Sequence, residues 1–266
     1  MKNQTKSSLP WQKVFYGLLV AFLVLPVAAL IYLSFVRYWS FPQLIDADFS
    51  FENWISAIGG TAGLPLSFLT SLGIALTVSL ISTMGGFVVG RHVLYHRRAQ
   101  SLLSLAYYPY LIAPVVLGVM LQYYFIKLGI SGTLTGVVVA QLLFVFPYAV
   151  LFFAGFWTPQ TKAIEGQAST LGASSGQILR KVLLPMAREW LYICFFQCFM
   201  ISWFEYGITQ YVGIGKVSTL TVRTMQYVKE ANPHVAAVAA CIMVLPLIIM
   251  LLLNRRILYR NTELHD

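Results

Sequence analysis

Six long runs of apolar residues constrain the fold of this chain more than any other feature of its sequence. They cover, approximately, residues 14–36, 66–90, 101–126, 133–156, 190–212 and 233–253. A helix needs about 20 predominantly apolar residues to cross a bilayer. Charged residues make up only 10% of the chain, whereas a soluble domain contains about 25%. The sequence therefore predicts an all-α, polytopic membrane protein with six transmembrane helices, the third of them kinked by Pro109 and Pro114.

The basic residues indicate how these helices are oriented. If the N-terminus is inside the cell, 13 of the 18 Lys and Arg residues lie in cytoplasmic segments and five lie outside. Cytoplasmic segments of membrane proteins are enriched in Lys and Arg. We therefore expect both termini and the polar segment 158–185 to be cytoplasmic. Since the net charge of +9 follows this topology, it does not indicate binding to nucleic acid.

The polar segment 158–185 separates the fourth and fifth apolar runs and carries helix-capping signals. Thr158 is followed by Pro159, and this pair is typical of the N-cap and the first position of a helix. Gly172 suits the left-handed position just after a helix ends. These signals predict a short helix between Thr158 and Gly172.

A second short helix follows within the same segment. Ser174 and Gln177 have the spacing of a capping box, in which each side chain bonds the backbone N–H of the other residue. Leu184 lies directly before Pro185, and the residue before a proline is disfavoured in an α-helix. We therefore expect the second helix to end at Leu184, so that 158–185 forms a compact helix–turn–helix on the membrane surface.

This segment resembles the cytoplasmic EAA motif of permease subunits in binding-protein-dependent ABC importers. The motif reads EAA, three residues, Gly, nine residues, an aliphatic residue, one residue and Leu-Pro. The matching positions in this chain are Ala168, Gly172, Val182, Leu184 and Pro185. Gly166 stands at the Glu position of the motif, and Glu165 lies one residue earlier.

The resemblance implies the fold and the surroundings of a type I ABC importer permease. Its core would be 66–253, preceded by 1–65 and followed by a cytoplasmic tail, 254–266. The location would be the cytoplasmic (inner) membrane of a prokaryote, and the chain would need no cofactor. The implied partners are cytosolic ABC ATPase subunits, a second permease subunit (identical or paralogous), an external solute-binding protein and the lipid bilayer.

The resemblance also implies that segment 158–185 couples the permease to the ATPase. Ile164, Ala168 and Leu171 are spaced four and three residues apart and form one apolar stripe, which suits a groove on another protein. We expect Ile178 and Leu179 to extend this stripe. The candidate coupling residues are Ile164, Glu165, Ala168, Leu171, Gly172, Ala173, Ser174, Ile178, Leu179 and Pro185.

Glu205 lies well inside the fifth apolar run. An acid within a span normally faces a bundle interior or a water-filled cavity. It lies 17 residues after Arg188, about 25 Å along a helix, and so toward the outer half of the span. The triplet 205–207 resembles one found at this place in ABC permeases for substrates of different charge. The sequence is compatible with two roles for Glu205: direct contact with the substrate, or fixation of helix packing. The candidate path or gate residues are Glu205, Tyr206, Thr209, Gln210, Tyr123 and Tyr124.

Signals for other chemistry are missing from the sequence. It has no GxxxxGK[ST] phosphate-binding loop and no Ser–His pairing within the spans, so we predict a transport subunit without catalytic residues or an ATPase site of its own. Cys194 and Cys198 lack a third metal ligand and are interpreted as packing residues.

Three other functions are considered as alternatives to an importer permease: an ion-coupled secondary transporter, an intramembrane enzyme and a non-transporting membrane scaffold. The resemblance implies a small polar substrate such as a polyamine, thiamine, ferric ion or a phosphonate.

Overall fold

The structure, a computed structural model, describes residues 10–37, 48–59 and 63–262; both chain termini lie outside these residues. The described residues form helices and contain no β-strand, so the predicted all-α class is confirmed. The helices are α1 (Pro10–Phe35), α2 (Glu52–Ile58), α3 (Leu64–Leu94), α4 (Ala99–Tyr107), α5 (Pro114–Lys127), α6 (Leu134–Phe153), α7 (Pro159–Thr170), α8 (Ser175–Ile178), α9 (Leu184–Trp203), α10 (Gly207–Val212), α11 (Leu220–Lys229) and α12 (Pro233–Thr262). A 3₁₀ turn (Tyr108–Leu111) follows α4, and a π-helical turn (Leu179–Leu183) joins α8 to α9.

Five helical stretches among the described residues are long and apolar enough to cross a membrane. They are Val14–Phe35, Leu64–Leu94, Leu134–Phe153, Ser175–Trp203 and Pro233–Met250. The stretches Ala99–Leu111 and Pro114–Lys127 together pass the same test, and they are bent by 96° at the break between them. With this bent pair as one span, the described part of the chain contains the six spans that the sequence predicts.

The third apolar run is bent far more sharply than a proline kink would require. Pro109 lies in the 3₁₀ turn, and Pro114 begins α5. A proline ring has no N–H to donate and is accommodated in the first turn of a helix better than in its interior. The run 101–126 therefore divides into two helices with a sharp bend between them instead of forming one helix with a kink.

The fifth span begins and ends earlier than predicted, and the expectation that a helix ends at Leu184 is wrong. Residues Ser175–Trp203 form one continuous helical stretch. In a regular α-helix the ring of Pro185 would clash with the carbonyl group four residues earlier. Here the Leu184 N–H bonds to the carbonyl of Leu179, five residues back. This wider turn accommodates the proline, so the second helix of 158–185 continues into the membrane.

The chain divides into two compact units, an N-terminal unit (1–65 and 224–245) and a core unit (66–223 and 246–266). In the N-terminal unit, the Nδ1 atom of His234 at the start of α12 lies 3.3 Å from the carbonyl oxygen of Leu33 near the end of α1. At its other end α12 continues as a helix to Thr262, so most of the expected tail 254–266 is helical. The division into 1–65, 66–253 and 254–266 stays a prediction.

The core unit is built around α6. Ala149 and Phe153 of this helix are fully buried, together with Cys194 and Cys198 of α9; the predicted packing role of the two cysteines is confirmed. A Cβ atom added at Gly86 of α3 would lie 2.5 Å from the Cβ atom of Ala149. The glycine therefore permits a close α3–α6 crossing, as small residues commonly do in membranes.

Candidate functional site

The first helix of segment 158–185 begins as predicted. The Thr158 hydroxyl caps α7 by accepting a hydrogen bond from the Thr161 N–H, at 3.4 Å. The Thr161 hydroxyl in turn donates to the carbonyl of Phe156, at 2.7 Å. These bonds fix the direction in which the chain leaves α6, because they join the end of one helix to the start of the next.

The turn after α7 requires a glycine. Gly172 has a φ of +83°, the left-handed region that side chains with a Cβ atom disfavour. The Gly172 N–H bonds to the Ser169 carbonyl at 3.0 Å, and the Ala173 N–H bonds to the Ala168 carbonyl at 3.2 Å. No neighbouring atom lies within 4 Å of the position that a Cβ atom at Gly172 would take. The requirement therefore comes from backbone conformation rather than from space, as predicted.

The predicted capping box at the start of α8 is confirmed in both of its hydrogen bonds. The Gln177 N–H donates to the Ser174 hydroxyl at 3.4 Å, and the Ser174 N–H donates to the Gln177 side-chain oxygen at 2.9 Å. The turn between α7 and α8 is therefore held by backbone hydrogen bonds at its α7 end and by side chains at its α8 end. The segment is a defined pair of helices and not a flexible loop.

Segment 158–185 also contacts the end of α3, and the sequence analysis did not predict this contact. The Arg91 guanidinium bonds both carboxylate oxygens of Glu165, with its Nε atom 3.3 Å from Oε2. The Lys162 ammonium lies 5.0 Å from the centre of the Tyr95 ring, a cation–π distance. Burial raises the pKa of the Tyr95 hydroxyl, although the nearby Arg91 charge opposes this, so the ring stays neutral. Arg91 and Glu165 are 74 residues apart, too far for a local pattern to reveal.

The apolar stripe on the segment is smaller than predicted. Leu171 is 88% exposed, whereas Ile164 and Leu179 are about one-third exposed. Ile178 is only 3% exposed and packs in the hydrophobic core of its own chain. The interpretation of Ile178 as part of a free surface is therefore wrong, because the continuous helix into α9 turns this residue inward. Ala168 and Ala173 are partly buried against the same core.

A second cluster surrounds Glu205, in the short break between α9 and α10. Its side chain is 7% exposed. One carboxylate oxygen accepts the N–H of Ile208, and the other accepts the N–H and the hydroxyl of Thr209, at 2.9 and 2.7 Å. The carboxylate therefore satisfies free donors in the first turn of α10, where the helix dipole also favours negative charge.

Three polar residues that sequence reasoning missed complete this cluster. The Gln141 amide of α6 donates to the Thr209 hydroxyl at 3.0 Å, and its oxygen accepts the Ser202 hydroxyl of α9. The Thr221 hydroxyl donates to the backbone carbonyl of Glu205 at 2.9 Å. The cluster thereby connects α6, α9, α10 and α11 through buried hydrogen bonds, which are costly to leave unmade.

Gly207, the glycine after Glu205 and Tyr206, lies where α10 passes close to α5. A Cβ atom at Gly207 would lie 2.8 Å from the backbone nitrogen of Val115 on α5. A Cβ atom at Gly118, on the same face of α5, would lie 2.9 Å from the Gly207 carbonyl oxygen. The triplet 205–207 thus combines a buried cap with a close backbone crossing.

The other predicted path residues do not share one environment. Tyr206 and Gln210 are half-buried beside Glu205 along the chain. Tyr123 and Tyr124 are 57% and 62% exposed and pack edge-to-face on each other at 5.4 Å. Tyr123 lies eight residues beyond Val115, about 12 Å along the helix, so the two tyrosines lie away from the Glu205 carboxylate.

Comparison with known proteins matches residues 82–263 to the family described as "Binding-protein-dependent transport system inner membrane component". The putative 2-aminoethylphosphonate transport system permease protein PhnV of Salmonella typhimurium is 27% identical over 243 residues, covering 90% of each chain. The spermidine/putrescine transport system permease protein PotC of Haemophilus influenzae is 27% identical, covering 91% of this chain and 94% of that protein. The molybdenum transport system permease protein ModB of Mycobacterium tuberculosis is 26% identical, covering 83% of each chain.

Proposed function

This chain belongs to the family of binding-protein-dependent transport system inner membrane components, and from this premise we propose that segment 158–185 is the site through which ATP hydrolysis drives it. The chain is the membrane-spanning permease subunit of an ABC importer. ATP would be hydrolysed by separate cytosolic subunits, since the sequence has no phosphate-binding loop of its own.

The orientation that this role requires is the one favoured by the basic residues. With both termini in the cytoplasm, segment 158–185 faces the cytosolic ATPase, and the break at 204–206 lies toward the outside. A solute-binding protein would deliver the substrate from that side. A second permease subunit, identical or paralogous, would complete the path across the membrane.

The observation that carries the coupling proposal is the continuous helix from Ser175 to Trp203. A displacement of the capped segment by an ATPase would be passed directly into the fifth span, because no flexible linker separates them. The ion pair between Arg91 and Glu165 would pass the same displacement to α3. Leu171, the most exposed apolar side chain of the segment, is the residue we expect to enter a groove on the ATPase.

A crosslinking experiment tests whether the segment meets an ATPase. Leu171→Cys would be co-expressed with its ATPase subunits and treated with a thiol-specific crosslinker. We expect a permease–ATPase adduct from Leu171→Cys and no adduct from Met186→Cys, which replaces a residue beyond the π-helical turn. If the purified complex contains both the permease and the ATPase but Leu171→Cys gives no adduct, the proposed contact is contradicted.

The coupling role is tested by replacing the glycine of the turn. We expect Gly172→Asp to insert into the membrane normally but to lose ATP-dependent uptake, because a Cβ atom at a φ of +83° distorts the turn. The matched control is Gly176→Asp, which adds the same charge four residues nearer to α9, at a glycine that has no positive φ and has open surroundings. Uptake by Gly172→Asp at the wild-type rate would count against coupling through this turn.

The Glu205 cluster is proposed to hold the outer part of the path together rather than to bind substrate directly. This is supported by the burial of the carboxylate and by its three hydrogen-bond donors within the chain.

The substrate is proposed to be a small polar solute, since the relatives are named for an aminophosphonate, polyamines and molybdenum. A thermal-shift screen of the partner binding protein against these solute classes would identify it; no stabilisation by any small polar solute would contradict this assignment.

A further inference from the structure

Helix α2 and the residue before it carry an apolar face that is largely exposed in the described part of the chain, although the Phe51 ring packs edge-to-face on Phe35 of α1 at 5.4 Å. Phe51, Ile55 and Ile58 are each 69% exposed. Ile55 and Ile58 belong to this seven-residue helix and Phe51 is its N-cap residue; their spacing of four and three residues places them on one side, since side chains at such intervals share a helical face. An exposed apolar face of this kind marks a surface that contacts lipid or another protein.

Asn53 and Trp54 fix α2 to the end of α1. The Asn53 side-chain amide donates to the Val36 carbonyl at 2.9 Å, and the Trp54 indole N–H donates to the Ser34 hydroxyl at 3.3 Å. The Trp54 ring also stacks on Phe35, with 5.8 Å between ring centres. Because these contacts reach the last turn of α1, the position of α2 is set by where α1 leaves the membrane.

The end of α1 lies at the boundary of the bilayer. The apolar stretch Val14–Phe35 has 22 residues, about 33 Å of helix, which matches a hydrocarbon core of about 30 Å. Directly beyond it, Arg37 and Glu52 form an ion pair of 2.9 Å in which both side chains are about half exposed. Such a pair belongs in water, so the transition from lipid to water falls at the level of α2.

The apolar face of α2 adjoins α1 through the contact between Phe51 and Phe35, and the preceding turn of α1 also exposes apolar side chains. Leu30 and Ile31, one turn before the end of α1, are 42% and 48% exposed. We propose that α2 lies flat in the headgroup region of the leaflet in which α1 ends, with Phe51, Ile55 and Ile58 inserted among the acyl chains. Amphipathic helices bind bilayer surfaces in this way, and Trp54 is a residue type enriched at that depth. The helix then fixes how deeply α1 sits, independently of the transported substrate.

Environment-sensitive fluorescence at single cysteines tests this inference. The full-length chain would carry Cys241→Ser, because Cys194 and Cys198 are fully buried and do not react. Ile55→Cys and Ile58→Cys would each be labelled with a nitrobenzoxadiazole probe in nanodiscs of phosphatidylethanolamine and phosphatidylglycerol. The matched control is Glu230→Cys, which lies on an exposed polar turn just before α12.

We expect the probes at positions 55 and 58 to be quenched several-fold more strongly by a lipid with a nitroxide at carbon 5 than the probe at 230. Iodide in the buffer should give the reverse order. Iodide quenching at 55 and 58 equal to that at 230 would show that the face is in water and would overturn the inference. Protection of both positions from iodide and from the lipid nitroxide would also overturn it, in favour of a protein partner on α2.

Discussion

Replacing Glu205 distinguishes its two possible roles, helix capping and substrate contact. In the structure its carboxylate accepts three hydrogen bonds from buried donors on Ile208 and Thr209. Glu205→Ala leaves all three without an acceptor. A buried unsatisfied donor costs about 1–3 kcal/mol, and some of this is recovered because a buried carboxylate is itself costly to desolvate. We therefore expect the free energy of unfolding to fall by about 3 kcal/mol, using the lower end of that range.

The expected change is large enough to measure by thermal unfolding of the purified chain in detergent. For a chain of this size, a loss of about 3 kcal/mol lowers Tm by about 6–12 °C. Glu205→Gln should have an intermediate effect, because its one oxygen can still accept the two donors of Thr209 while its NH₂ group faces the N–H of Ile208. Glu230→Ala is the control, since it removes an exposed acid, and we expect a change in stability below about 0.5 kcal/mol.

A substrate-contact role predicts a different pattern. If Glu205→Ala unfolds within about 1 °C of the wild type, far less than the capping role requires, while ATP-dependent uptake is abolished, the capping argument is refuted. If stability falls and the remaining folded protein still transports with an unchanged KM, the carboxylate acts through helix packing. Uptake must therefore be normalised to the folded fraction in each variant.

Three further predictions concern packing, coupling and capping. Gly207→Ala should destabilise the chain by about 1–3 kcal/mol in thermal unfolding, because its methyl group overpacks the α5–α10 crossing; an unchanged Tm would contradict the close approach. Arg91→Ala and Glu165→Ala, measured singly and together, should show a coupling free energy of about 1 kcal/mol, and each should lower uptake per ATP hydrolysed; fully additive effects would mean that the pair does not interact. Ser174→Ala should cost about 1 kcal/mol of stability through loss of the cap, whereas Ser174→Asp should retain the wild-type value; equal losses in both variants would argue against capping.

The features that the sequence predicts correctly depend on neighbouring residues. The caps at Thr158 and Ser174 and the left-handed Gly172 follow from side chains that bond, or backbones that turn, within five residues along the chain. The apolar runs are similarly local, because their length alone decides whether they can cross a bilayer. Even the acceptor role of Glu205 had a local signal, since its donors are three and four residues further along.

The features that were missed or wrong depend on what lies across the fold. Ile178 has the spacing of an exposed stripe, but helical periodicity cannot tell which face the rest of the chain covers. Arg91 reaches Glu165 only because α3 ends beside α7. Pro185 ends a helix in most contexts, and only the π-helical turn before it, which has no simple sequence signal, lets the helix continue.

That π-helical turn also determines how α7 and α8 are rotated about the axis of α9. Its hydrogen bond spans five residues instead of four, so the chain between α8 and α9 contains one residue more than a regular α-helix would use over the same distance. Each residue rotates a helix by about 100°. The direction in which Leu171 points is therefore set by a count of residues inside Leu179–Leu183. Deleting one residue there would rotate α7 and α8 around the axis of α9 without changing any side chain of α7 or α8.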